Sequence, residues 1–207
     1  MMEALHVSTS ALEGRIHFST NALPMFGAEL ESRGLEPQGH TLRLVRLAES
    51  LGTTMRLPPQ SVEALVQAAY LHDVGKLVLP EKILLKPGAL DPSEWDVVKT
   101  HSRWSATLAG AITALNPRTV PAILHHHERW DGTGYPARLQ GEEIPIESRI
   151  LAVCDVYDTL LSKRAYGRAW SVSSTLEELQ TRSGTHFDPK VLDAFLDRAL
   201  GKLTITE

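Results

Sequence analysis

The chain has 207 residues, of which 43% are apolar and 22% charged, which suits one soluble domain with a sizeable core. A net charge of −4 argues against a broad nucleic-acid surface, though not against a small nucleotide held locally by metals and a few cations. The single cysteine, Cys154, excludes an internal disulfide or a cysteine-ligated cluster. No apolar run is long enough to span a bilayer, and the N-terminus lacks the basic and apolar regions of a signal peptide, so a cytoplasmic location is expected.

Residues 1–35 carry weak periodicity interrupted by Ser, Gly and Pro; a helix near 20–32 is predicted, serving as an N-terminal extension, a helical cap or a dimerisation arm. From Pro37 the pattern becomes helical. Leu44, Leu47, Ala48 and Leu51 predict a helix from His40, with Gly52 as its stop. After Pro58-Pro59, a second helix runs through Val62, Leu65, Val66, Ala69 and Tyr70 into His72-Asp73, where Gly75 ends or bends it. Residues 80–90 suggest a short helix and a turn. Asp91-Pro92-Ser93-Glu94 has the cap, first-turn proline and acid of a helix start. That helix is expected to reach Leu115 with His101 in its middle. Asn116-Pro117 opens another that ends at His125-His126-His127. Residues 128–147 form a long Gly/Pro-containing loop with a short hairpin around 139–146; an irregular connection of this length is usually functional. Helices follow over 147–161, from Ser171, and from Asp188-Pro189 with Gly201 as its stop. The fold class is all-α.

The chemistry gathers at adjacent pairs. His72-Asp73 sits at a helix end, where the carboxylate can bridge two ions while the imidazole binds one. His126-His127 repeats the arrangement. His40 and His101 supply single imidazoles from other helices, and Asp155 another carboxylate. Isolated histidines are more often structural, so His6 and His17 are set aside, and His186 is read as part of a helix-capping region. A mixed His/carboxylate set suits Fe, Mn, Zn, Co or Ni rather than Ca, with Fe or Mn expected. Two such ions about 3.5–4 Å apart can clamp the attacking and leaving oxygens of an in-line displacement, which suits phosphodiester hydrolysis.

The segments His40-Thr-Leu-Arg43, Leu71-His-Asp-Val-Gly-Lys76, Ile83-Leu-Leu-Lys-Pro-Gly88, His101, His126-His-Glu-Arg-Trp-Asp-Gly-Thr-Gly-Tyr-Pro136, Arg149 to Asp158, and Gly184-Thr-His-Phe-Asp-Pro189 together resemble the HD-GYP family of metal-dependent phosphohydrolases. The likeness covers roughly residues 36–196 and places an HD-GYP domain at 36–207. It implies an HD-type helical bundle that hydrolyses cyclic di-GMP to pGpG or GMP. By matched position it implies the metal ligands His40, His72, Asp73, His101, His126, His127 and Asp155. Some members hold a third metal with a Glu one turn before the first His; Glu36 stands there and would share a face with His40 if both are helical. The resemblance gives Asp73 and Lys76 catalytic roles, makes Lys76 and Arg164 phosphate contacts, and puts Tyr135, Asp131 and Gly132 on the substrate side. Asp158, three residues after Asp155, would orient a ligand.

Two departures stand out. The family's basic residue after Arg-Pro-Tyr is Gly167 here, unless Arg168 replaces it, and the usual His-Pro-x-x-Gly reads His101-Ser-Arg-Trp-Ser105. The first keeps a rival open: a cyclic di-GMP sensor or interaction module with little turnover. Another HD-type enzyme, a nucleotidase or a di-iron oxygenase, is a third reading. Protein partners in second-messenger signalling and a homodimer stay open; a membrane and extended nucleic acid are not expected as partners.

Overall fold

The computed structural model describes residues 22–162, 169–199 and 201. Among these the chain is helical, with no strand and one isolated bridge between Ser183 and Phe187. The helices are α1 (Leu23–Ser32), α2 (His40–Thr54), α3 (Pro59–Leu71), α4 (Glu81–Leu84), α5 (Pro92–Lys99), α6 (His101–Gly110), α7 (Thr119–Leu124), α8 (Ile146–Leu161), α9 (Val172–Thr181) and α10 (Pro189–Ala199). None is long and apolar enough to cross a membrane.

Helices α2, α3 and α8 form the centre. On α2, Leu44, Ala48 and Leu51 repeat at helical spacing and are fully buried. They meet Leu65, Ala68 and Ala69 of α3 and Ile150 and Leu151 of α8 in one core. The alanines on α3 leave room for close approach of the neighbouring backbones. α7 and α6 pack in series beside α3, and α10 covers α8 and α2. The first helix, α1, lies against α2 and α3 through buried Leu23 and Leu30.

Several boundaries differ from the expectations. Gly52 does not stop α2, which continues to Thr54. A Cβ there would lie 3.1 Å from Leu65, so this glycine serves close packing, and the positive φ falls on Arg56 instead. The helix from Asp91 does not run to Leu115. The Asp91–Glu94 capping box forms on both sides, but α5 ends at Lys99 because the Thr100 N–H and hydroxyl both bond the Val97 carbonyl, at 3.0 and 2.6 Å. His101 therefore begins α6 rather than lying mid-helix. No hairpin forms around 139–146. Residues Gly141–Glu143 make a 3-10 turn instead, because the Glu143 carboxylate accepts the Gln140 N–H and satisfies the backbone locally.

Candidate metal centre

Every imidazole of the predicted set sits at or beside a helix terminus. His40 opens α2 behind Gly39, whose φ of 73° a side chain would strain. His72 caps the C-terminus of α3, and Asp73 then leaves the helix and precedes a 3-10 turn, Val74–Val78. Gly75 in that turn touches α6 so closely that a Cβ would lie 2.2 Å from the His101 carbonyl. His126 and His127 follow the end of α7. Asp155 comes from the middle of α8.

These side chains converge as two groups. His40, His72 and Asp155 can each offer a donor atom within 4.8 Å of the others, and so can Asp73, His101, His126 and His127. Asp73 reaches both: its Oδ2 lies 3.0 Å from His72 Nε2 and its Oδ1 lies 3.1 Å from His101 Nε2.

The outer hydrogen bonds select which nitrogen faces inward. His72 Nδ1 lies 3.1 Å from the Ala69 carbonyl, His101 Nδ1 lies 2.7 Å from Val98, and His126 Nδ1 lies 2.6 Å from Ile123. A carbonyl only accepts, so Nδ1 carries a proton and Nε2 is the atom turned inward. His40 Nδ1 bonds the Asp158 carboxylate at 2.8 Å, which Arg43 Nε holds in turn at 2.6 Å. Asp158 thus orients His40, as expected from its position.

Three of the inward atoms lack partners. His40 Nε2, His72 Nε2 and Asp73 Oδ1 are buried without a hydrogen bond. His101 Nε2 lies 3.4 Å from His126 Nε2 and 3.1 Å from His127 Nε2. Lone pairs on two such nitrogens repel each other, and each unsatisfied buried acceptor costs about 1–3 kcal/mol. A cation between them removes both penalties, so the donor set fits a metal.

The field points the same way. Burial opposes ionisation of Asp73, yet His72 and Lys76 outweigh it and hold the carboxyl well below its ordinary range. Burial, then the neighbouring imidazoles, pushes His126 and His127 well below the usual histidine value and keeps them neutral. For His72 burial is outweighed by Asp73, Asp155 and Glu36, which raise its pKa to about 9. The pocket attracts positive charge.

Glu36 does not share a helical face with His40, because α2 begins at His40 itself. Its carboxylate still arrives at the site, 3.7 Å from His40 Nε2 and paired with Lys76 Nζ. Burial raises its carboxyl to about 7, with Lys76 opposing. Lys76 Nζ also lies 2.8 Å from Asp73 Oδ2.

On the open side, the Tyr135 ring stacks on His127 at 4.8 Å and its backbone N–H donates to the His127 carbonyl at 3.2 Å. Asp131 turns into the loop, accepting the Thr133 N–H at 2.9 Å and its hydroxyl at 2.6 Å, and Gly132 follows with a φ of 79°. Trp130 lies under the Arg149 guanidinium at 5.8 Å, and its backbone N–H donates to the His186 carbonyl. His186 stacks on Phe187 ahead of α10 and stands apart from both donor groups. Arg164, Gly167 and Arg168 lie outside the described residues.

The HD domain model matches residues 24–191, most of the chain. The chain belongs to the HD domain family. This HD domain is 42% identical to a cyclic di-GMP phosphodiesterase of Vibrio cholerae, over 84% of this chain and 38% of that protein. It is 44% identical to a cyclic di-GMP phosphodiesterase response regulator of Xanthomonas campestris, over 78% of this chain and 42% of that one. It is 37% identical to a 3'3'-cGAMP-specific phosphodiesterase of V. cholerae, over 81% and 32%. The chain spans about two-fifths or less of the length of these relatives. A cyclic GMP-AMP-specific phosphodiesterase of V. cholerae has the same fold, with a TM-score of 0.65 at 19% identity over 86% of this chain and 48% of that one. So does an HD-GYP-type protein of Bdellovibrio bacteriovorus, with a TM-score of 0.62 at 17% identity over 78% and 52%.

Three residues of this HD domain take parts that their motifs did not mark. Arg43 supports Asp158, three residues after His40. Ser105 accepts the Gly75 N–H at 2.8 Å, which gives its departure from the family glycine a purpose. Glu128 is buried beside the histidine pair; only its place inside the loop motif could have marked it.

Proposed function

We propose that this HD domain is a metal-dependent phosphodiesterase that opens cyclic di-GMP to pGpG, GMP or both. The observation that carries the reading is the division of seven donors into two groups joined by Asp73. In this reading His40, His72 and Asp155 hold one divalent ion and His101, His126 and His127 hold another, with Asp73 between them. Glu36 is the ligand for a third. Fe or Mn suits these donors. When bound, such ions lower the pKa of water and neutralise charge at phosphorus.

The protein's own residues supply the rest. The Nδ1 bonds of His40, His72, His101 and His126 hold these imidazoles with Nε2 turned toward the ions. Lys76 is drawn from its carboxylate partners toward a substrate phosphate, where a fixed ammonium offsets developing charge. Arg164 is a second phosphate contact. Tyr135, Asp131 and Gly132 form the wall along which the dinucleotide lies. We assign the catalytic unit to residues 36–207, with residues 1–35 as an N-terminal extension or helical cap, and its location to the cytoplasm, where buried Cys154 stays reduced.

The names of the relatives make both cyclic di-GMP and 3'3'-cGAMP worth offering to the metal-reconstituted protein, with chromatography of the products. Turnover of cyclic di-GMP to the linear dinucleotide is the expected result. Tight binding without product would instead support the sensor reading, which Gly167 at the family's basic position favours.

A further inference from the structure

Glu128 follows the histidine pair, belongs to neither donor group, and has no part in the chemistry proposed above. It is 2% exposed. A buried carboxylate is costly unless its oxygens are satisfied. Here Oε1 accepts the Ala137 N–H at 2.6 Å and Oε2 accepts the Leu139 N–H at 3.2 Å. His125 Nδ1 lies 3.5 Å from Oε1 and forms no hydrogen bond. The carboxylate is therefore spent on loop backbone nine and eleven residues downstream.

That stretch is the one that carries Tyr135. Gly134 crosses Glu128 so closely that a Cβ would lie 2.5 Å from Glu128 Cα and 2.3 Å from the Arg129 nitrogen. Tyr135 then bonds back to the His127 carbonyl and lays its ring on the His127 imidazole. Past Pro136, the two N–H groups held by Glu128 fasten the returning chain. One fold-back thus ties the loop to the same two residues, His127 and Glu128.

We propose that Glu128 is a positioning residue: its carboxylate clamps residues 137–139 and so holds Tyr135 as a fixed wall for a phosphodiester substrate. The choice of substrate rests on the function proposed above; the clamp itself does not. Glutamine tests it, because its amide must turn a donor toward one of the two N–H groups and leave that bond broken. One lost buried hydrogen bond corresponds to about a tenfold change.

The experiment compares wild type, Glu128→Gln, Glu128→Asp, Tyr135→Ala and the Glu128→Gln/Tyr135→Ala double variant in the full chain loaded with Mn(II). Glu128→Gln should keep the wild-type metal content. One of its Ala137 and Leu139 amides, the one facing the new NH2 group, should exchange hydrogen about tenfold faster, and KM for cyclic di-GMP should rise about tenfold with kcat within about threefold. Tyr135→Ala should raise KM in wild type and add little in Glu128→Gln, since both act through one wall. Glu128→Asp should restore part of the exchange protection. Unchanged exchange and KM, additive effects, or loss of metal on Glu128→Gln would overturn the proposal. If circular dichroism shows Glu128→Gln unfolded, Ala137→Pro removes the donor and leaves Glu128 in place; a raised KM with intact metal supports the clamp, and a normal KM overturns it. If wild type does not turn over cyclic di-GMP, the phosphodiesterase reading fails by itself, and amide exchange with the dissociation constant for cyclic di-GMP still decides the clamp.

Discussion

The two halves of the candidate centre are built differently. In the half made of His40, His72 and Asp155, His40 is oriented by tertiary contact with Asp158, 118 residues away and braced by Arg43, while His72 is held by the Ala69 carbonyl three residues behind it. His101 and His126 are oriented by carbonyls three residues behind them, at their own helix ends. The first half depends on packing α8 against α2, whereas much of the second half is fixed once its local turns form. An anionic partner also makes His40 a stronger donor than a neutral carbonyl makes His101 or His126. The first half should therefore be tunable through side chains, and the second should resist such tuning.

The largest effect is expected where the halves meet. Asp73→Ala removes the carboxylate that approaches both, so bound metal and turnover should both collapse, turnover by about a thousandfold or more. Metal analysis and initial rates on the folded variant check this. Lys76→Met comes next. It should retain metal while kcat falls by about 10²–10³, since Lys76 is proposed to meet a substrate phosphate rather than an ion. Asp158→Asn should weaken one ion's affinity by about 10–100-fold, read by titration with a competing chelator, and leave the other ion in place. Glu36→Gln should lower the metal count by one equivalent and spare the other two.

The smallest effect lies away from both halves. Burial, aided by Arg129 and Arg182, lowers the His186 pKa from 6.5 to about 4. Between those values the unfolded chain binds a proton that the folded chain excludes. Stability should thus fall as pH drops from about 6.5 toward 4, by at most about 3 kcal/mol from this residue. His186→Gln should flatten that slope in chemical denaturation across the same pH range.

Much of this was legible in the sequence for identifiable reasons. His72-Asp73 alone is a pair that chance often produces; its combination with His126-His127 and the Gly-Tyr-Pro loop marked the site, and its helix-end position followed from Gly75. The Asp91–Glu94 capping box is purely local and formed as expected. What escaped depends on contacts without a sequence period. Glu128 bonds backbone N–H groups, which every non-proline residue carries, so nothing in the sequence marks its partners. Thr100 breaks a helix with a hydroxyl rather than a glycine or proline. Gly52 looked like a stop and is a packing surface. Glu36 reaches the site although its presumed helix does not exist, because the turn at Gly39 swings the preceding loop over Lys76.

Asp73 is proposed to join two ion sites into one centre. Anaerobic loading with Mn(II), followed by metal counting and low-temperature electron paramagnetic resonance, tests it most directly. At least two Mn(II) per chain with an exchange-coupled spectrum is predicted, and the coupling should vanish in Asp73→Ala. One ion per chain, or several giving only the spectrum of isolated Mn(II), would contradict the account.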